Sequence, residues 1–95
     1  MILLGYDVST EDPAGQKRLH TVAKICESYG LRVQNSLFEL VVTPAQLVAL
    51  KAKVKAAMDE EKDSVRLYQL GANWERKVEV IGRKPIVSHG DVFIL

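Results

Sequence analysis

Apolar residues fall at both parities through Ile2, Leu3, Leu4, Tyr6 and Val8. That is the pattern of a central strand packed on both faces. The segment Ser9–Gly15 breaks it, and Asp12-Pro13 reads as a helix opening: a capping side chain, then a proline at the first helical position. Leu19, Val22, Ala23, Cys26 and Tyr29 recur at helical spacing and Gly30 follows, which predicts a helix over 13–29. Lys17 and Lys24 lie on its outer side, with Arg18 beside Lys17.

The stretch Leu31–Val42 is extended by composition but changes phase. Val33 has odd parity, whereas Phe38, Leu40 and Val42 have even parity. One unbroken strand would put these residues on opposite faces. The pattern therefore predicts a short strand near 31–34, a bulge or tight turn at Gln34–Ser36, and a longer strand near 36–42. Thr43-Pro44-Ala45-Gln46 opens a second helix with a capping box, and Leu47, Leu50, Val54 and Met58 form its apolar stripe. Lys51, Lys53 and Lys55 read as solvated surface. Asp63–Leu70 predicts another strand, and Val78–Ile81 is a short strand candidate. The chain ends on Val92-Phe93-Ile94-Leu95, which suits pairing with a sheet edge, its own or a partner's.

The order strand, helix, two strands, helix, strand is the split βαβ, ferredoxin-like α+β arrangement, with both helices on one face of an antiparallel sheet. A single domain over 1–95 is expected, with 71–95 as a C-terminal extension contributing to a dimer. The 95 residues, 47% of them hydrophobic, suit one compact domain but bury a limited fraction of its surface, so stability gained from an oligomer interface fits. The net charge of +1 announces no nucleic-acid binder in bulk and leaves only a local basic face open. Cys26 is the only cysteine, so neither an intrachain disulfide nor a cysteine-based zinc site is expected. It reads as a core residue in a cytoplasmic protein. No apolar run approaches a membrane helix, and the start does not read as a signal peptide.

Against this pattern Asp7 stands out. Ile2, Leu4, Tyr6 and Val8 share one face of the first strand and suit the helix side, while Leu3, Gly5 and Asp7 share the other, with Leu37 and Val41 joining them from the middle strand. Covering that second face with another copy of the chain gives a twofold dimer and brings two Asp7 carboxylates toward one axis. A hard divalent cation relieves their repulsion, and a metal so held activates water and stabilises phosphoryl charge. A second reading of the same residue has Asp7 accepting hydrogen bonds from the loop amides that start the helix.

The blocks Tyr6–Thr10 (YDVST), Lys24–Glu39 (KICESYGLRVQNSLFE) and Asp63–Gly71 (DSVRLYQLG) resemble the small CRISPR-associated protein two family, companions of the CRISPR integrase. The resemblance spans essentially the whole chain, through Asn73–Gly82 and the terminal Asp91–Leu95, and looks closest to the short variant of type I-C systems. It implies a ferredoxin-like homodimer with C-terminal strands packed across subunits. It also implies a metal-dependent endonuclease acting on single-stranded RNA or duplex DNA, and the central dimer of the spacer-acquisition complex, with no membrane association. Magnesium, or manganese, is the implied ion, and the family's metal-binding aspartate maps onto Asp7. Arg18 and Arg32 match basic positions that would contact phosphates, with Lys17 and Lys24 as weaker candidates. Ser36 and Phe38 match positions near the site. Each also has an ordinary structural role open to it, Ser36 closing the bulge and Phe38 packing the core. Tyr6 reads as core or as support for the site. His20 and His89 match no catalytic position of the family.

Three functions follow. The first is a magnesium-dependent nuclease using paired Asp7. The second is a non-catalytic dimeric adaptor that positions DNA for the integrase. The third is a generic ferredoxin-like RNA binder, which needs exposed aromatics on a sheet face, and an aromatic content of 6% offers few. The apolar terminus carries its own expectation: deletion of residues 91–95 weakens the dimer, read as a rise in its dissociation constant.

Overall fold

A computed structural model describes residues 1–82. Four strands form one sheet: β1 (Ile2–Asp7), β2 (Gly30–Gln34), β3 (Leu37–Leu40) and β4 (Ser64–Gln69), in the order β2-β3-β1-β4. Every neighbouring pair is antiparallel. Two helices, α1 (Pro13–Glu27) and α2 (Pro44–Ala57), connect them. This is the ferredoxin-like order, with β1 inside the sheet and β2 and β4 at its edges.

Local chemistry sets where the helices start. The Asp12 side chain accepts the Gly15 N–H at 2.7 Å, with Pro13 as the first helical residue. Thr43 and Gln46 close a reciprocal capping box, Gln46 N–H donating to the Thr43 hydroxyl at 3.2 Å and Thr43 N–H to the Gln46 side-chain carbonyl at 2.8 Å. The stripe expected on α2 faces inward, with Leu50 and Val54 buried and Leu47 and Met58 partly so.

Helices cover one face of the sheet only. Ile2, Leu4, Tyr6 and Val8 of the first strand and its loop point to that face, with Phe38 and Leu40 of β3. They pack against Val22, Ala23 and Cys26 of α1 and Leu50 and Val54 of α2. Phe38, Leu4, Leu40 and Leu50 lie among the fully buried side chains, each worth roughly 1.5–3 kcal/mol of transfer free energy. The opposite face carries Leu3, Gly5 and Asp7 of β1. Beside them on β4 lie Tyr68, Arg66 and Ser64, their register partners. Among the described residues no helix is long and apolar enough to cross a membrane.

The phase change in the middle of the chain resolves in two steps. The turn at Asn35–Ser36 joins β2 to β3, and the register shifts between Arg32 and Gln34. Two boundaries differ from expectation. The first helix ends at Glu27, not at residue 29, and Gly30 opens β2 instead of merely stopping the helix. There a Cβ would run into the Glu39 carbonyl and the Leu40 side chain, so glycine is what lets β2 close onto β3. The later strand is shorter than the predicted 36–42 and ends at Leu40, because Thr43 is already the cap of α2.

Val78–Ile81, a strand candidate by composition, is not a strand. Gly71, at φ +80°, and a 3₁₀ turn over Trp74–Arg76 redirect the chain after β4. Val78–Ile81 then walls a cleft with Val33, Gln34, Leu37 and Glu39 instead of joining an edge. Alternation alone cannot make a strand without a neighbouring ladder to take its N–H and C=O groups. The expected edge pairing of Val92–Leu95 lies outside the described residues.

The close approach at Gly30 gives a stability prediction. Gly30→Ala forces a backbone shift in β2 or β3 and is expected to cost about 1–3 kcal/mol, measured as a lower urea midpoint with an unchanged slope.

Candidate active site

Asp7 is the last residue of β1, and its side chain is exposed while its neighbours on both sides are buried. The Tyr6 N–H donates to the Ser36 carbonyl at 3.0 Å, and the Tyr6 hydroxyl donates to the Asn35 carbonyl at 3.0 Å. Its ring stacks on Phe38 with centroids 5.9 Å apart. Asp7 itself pairs with Ser64 of β4. Two residues further on, the Ser9 N–H donates to Asp63 at 3.0 Å. The backbone that carries the carboxylate is thus held before, beside and behind it.

The loop-capping reading of Asp7 loses its ground here. Among the described residues, the Ser9 amide is taken by Asp63 and the Gly15 amide by Asp12. Those two carboxylates start the helix and hold the loop, so Asp7 is not needed for either task.

Two clefts meet at Asp7. One lies on the helix-free face and includes Gly5, Gln34, Ser36, Ser64, Arg66 and Tyr68. The other lies at the end of the sheet, walled by Gln16, His20, Arg32, Asn35 and Ser36. Each cleft holds an arginine, so phosphate-binding charge is available on both sides of the carboxylate. Arg32 sits 5.3 Å over the Phe38 ring and pairs with Glu27 at 3.0 Å. Both partners of that pair are well exposed, and such pairs hold weakly.

The other residues singled out from sequence are placed differently. Arg18 turns onto Asp63, with its Nε 2.8 Å from one carboxylate oxygen and an Nη 3.4 Å from the other. Lys17 and Lys24 are exposed on α1, apart from the residues that wall the two clefts. Phe38 is fully buried and Tyr6 nearly so, both packed in the core on the helix-covered face, opposite the face that carries Asp7. Ser36 borders both clefts and receives the Tyr6 amide through its backbone carbonyl.

Burial and hydrogen bonding sort the titratable groups. The Arg18 guanidinium bonded to Asp63 holds that carboxyl below the usual range, and the Asp59 and Ser9 amides add to the effect against the cost of burial. Burial pushes the Cys26 thiol up to about 12, which makes it an inert core group and no nucleophile at neutral pH. Burial also raises Tyr6 and Glu39.

The donor set suits a hard divalent cation in kind. Gln34, Ser36 and Ser64 add oxygen-bearing side chains to the Asp7 cleft, and the Cys26 thiol is buried elsewhere. In number it supplies a single carboxylate. Among the described residues, no three His, Cys, Asp or Glu side chains gather into a metal-binding group.

Two residues around this region, Asp63 and Arg66, escaped sequence reasoning, and a third, His20, was set aside by it. Asp63 sits in an acidic run with Asp59, Glu60 and Glu61, and nothing local separates it from them. Arg66 was legible only through parity once β4 was known to lie beside β1. His20 is brought onto a cleft wall with Asp7 by the packing of α1, a long-range consequence with no signal in its own neighbourhood.

Fold and site together define a small ferredoxin-like α+β protein that presents one carboxylate at the end of its central strand, between two clefts that each contain an arginine. The family described as CRISPR associated protein Cas2 matches residues 1–78. The CRISPR-associated endoribonuclease Cas2 3 of Rhodospirillum rubrum is 54% identical over 95 residues, covering 99% of this chain and 100% of its own. The CRISPR-associated endonuclease Cas2 of Halalkalibacterium halodurans is 50% identical over 94 residues, with 99% and 98% covered. The crystal structure of Streptococcus pyogenes Cas2 at pH 6.5 superposes with a TM-score of 0.76 at 56% identity, over 85% of this chain and 98% of that one. The chain belongs to the CRISPR-associated Cas2 family.

The Asp63 cluster generates a pH prediction. A carboxyl whose folded pKa is depressed contributes stability that is present above its unfolded value and lost as pH falls through the folded one. At about pH 6 the wild type is expected to exceed Asp63→Asn by about 2 kcal/mol, the scale of hydrogen bonds to a charged group. Urea titrations down to about pH 3 should show that gap shrinking, because the wild type alone loses the Asp63 contribution. Glu39 acts in the opposite sense in both proteins and so cancels in the difference.

Proposed function

We propose that this chain is a metal-dependent endonuclease of a CRISPR system, cleaving phosphodiester bonds in RNA or duplex DNA at Asp7. It works as a homodimer that also forms the centre of the spacer-acquisition complex beside the CRISPR integrase, in the cytoplasm. The type I-C variant is the subtype its motifs fit. One observation carries the reading: Asp7 is an exposed carboxylate on a backbone held rigidly on every side, with no structural duty of its own among the described residues. Relatives bearing endoribonuclease and endonuclease names support the chemistry.

In this reading Asp7 and its symmetry mate would hold a magnesium or manganese ion. When bound, the ion supplies charge neutralisation at the scissile phosphate and a water of lowered pKa. The chain's own residues do the rest. Arg32 and Arg66 attract and orient the backbone phosphates from the two clefts. Tyr6, packed on Phe38 and bonded to Asn35, keeps the strand end from moving. Preorganised placement of this kind is where much of such a rate enhancement lies.

The adaptor reading remains as the alternative, favoured by the near-neutral charge, which suits a protein that holds DNA jointly with a partner. The two separate on labelled RNA and labelled duplex DNA, with magnesium and with chelator. The nuclease reading expects wild-type cleavage that chelator abolishes and that Asp7→Ala lowers on the order of a hundredfold or more, with the dimer intact. Equal cleavage by both proteins, or none by either, would overturn it, and the latter favours the adaptor.

A further inference from the structure

We infer that Asp63, gripped by Arg18, is a positioning residue for Asp7: it fixes the loop behind the carboxylate and so acts on catalysis without touching substrate. The inference deepens the nuclease reading and rests on it.

Asp63 is separated from Asp7 by more than fifty residues of chain, yet its side chain is fully buried beside the end of β1. One carboxylate oxygen accepts the Ser9 N–H at 3.0 Å and an Arg18 Nη at 3.4 Å. The other accepts the Arg18 Nε at 2.8 Å and the Asp59 N–H at 2.9 Å. The Asp63 N–H in turn donates to the Asp59 carbonyl at 2.8 Å. Three segments therefore converge on one anion: the loop after β1, the first half of α1 and the turn before β4.

The geometry tightens further at Ser9. A Cβ on Gly15 would collide with the Ser9 carbonyl, so the first turn of α1 presses directly on that residue. Asp63 holds its amide while α1 blocks its carbonyl. On the other side, Ser64 follows Asp63 directly and is the cross-strand partner of Asp7. Asp63 thus governs both the loop two residues beyond Asp7 and the start of the strand beside it. A shift of about 1 Å at a catalytic group is enough to cost about a hundredfold in rate.

The placement changes the expectation for Arg18. A guanidinium contacting phosphate would act on affinity, and its loss would raise KM and flatten the salt dependence. A guanidinium held two-fold on a buried carboxylate acts on geometry, and its loss lowers kcat.

The test uses full-length wild type, Asp63→Asn, Arg18→Gln, Arg18→Lys and the double variant Arg18→Gln/Asp63→Asn. Hydrogen exchange at the Ser9 amide is read in the free protein, and kcat and KM are read with magnesium on whichever labelled RNA or DNA the wild type cleaves. Asp63→Asn and Arg18→Gln are each expected to speed Ser9 exchange at least tenfold and to lower kcat about 10- to 100-fold at KM within about twofold. The double variant should be no worse than the poorer single, since both remove one unit. Arg18→Lys should recover part of kcat. Should Asp63→Asn fail to fold, Arg18→Lys carries the test, with faster Ser9 exchange and lower kcat than wild type expected at unchanged KM. A raised KM with kcat retained in Arg18→Gln overturns the inference in favour of a phosphate contact. Unchanged Ser9 exchange in the variants overturns it as well. A wild type that cleaves nothing overturns the nuclease reading instead, and Ser9 exchange then decides the clamp by itself.

Discussion

The central strand can offer only one of its two faces to the helices. β1 lies between β3 and β4, so both of its edges are paired, and its alternation then sorts every residue. Ile2, Leu4 and Tyr6 go under α1 and α2. Leu3, Gly5 and Asp7 go to the side the helices leave open. A carboxylate could not stand one position earlier or later without being buried, and an unpaired buried carboxylate costs several kcal/mol. The exposure of Asp7 is a consequence of register.

The same one-sidedness explains why the site is built from a strand end. The sheet supplies rigidity through Tyr6, Phe38 and the β4 pairing, while the last residue escapes into the space between two clefts. Functional groups on a packed strand are placed more accurately than groups on a loop. The loop that follows would weaken this arrangement if it moved, and Asp63 is where the fold ties it down. A buried anion needs partners for its lone pairs, and here each partner comes from a segment that touches the site.

Charge is arranged locally although the chain as a whole is nearly neutral. Arg32 and Arg66 reach the two clefts from different strands, and neither cluster exists in the linear sequence. Arg18 belongs to a different class from these two. Its side chain is mostly buried on Asp63, so its positive charge is largely compensated within the fold.

Much of the architecture was legible in short-range patterns. Asp12-Pro13 and Thr43-Pro44-Gln46 marked helix starts because capping involves atoms three residues apart. The parity change around Gln34 showed that β2 and β3 could not be one strand. The parity of Ile2–Val8 by itself assigns Asp7 to its face. What the tertiary structure alone decided were relations between distant segments. Gly30 is required by the backbone of β3, not by its helix. Val78–Ile81 alternates like a strand but walls a cleft beside β2 and β3 without joining the sheet. Asp63, one acidic residue in a run of them, becomes a buried anchor only because Arg18 and Ser9 arrive beside it. Periodicity and capping are properties of neighbours in sequence, so the chain could determine them by itself. Hydrogen-bond partners across fifty residues depend on how the layers pack, and only the folded molecule brings them together.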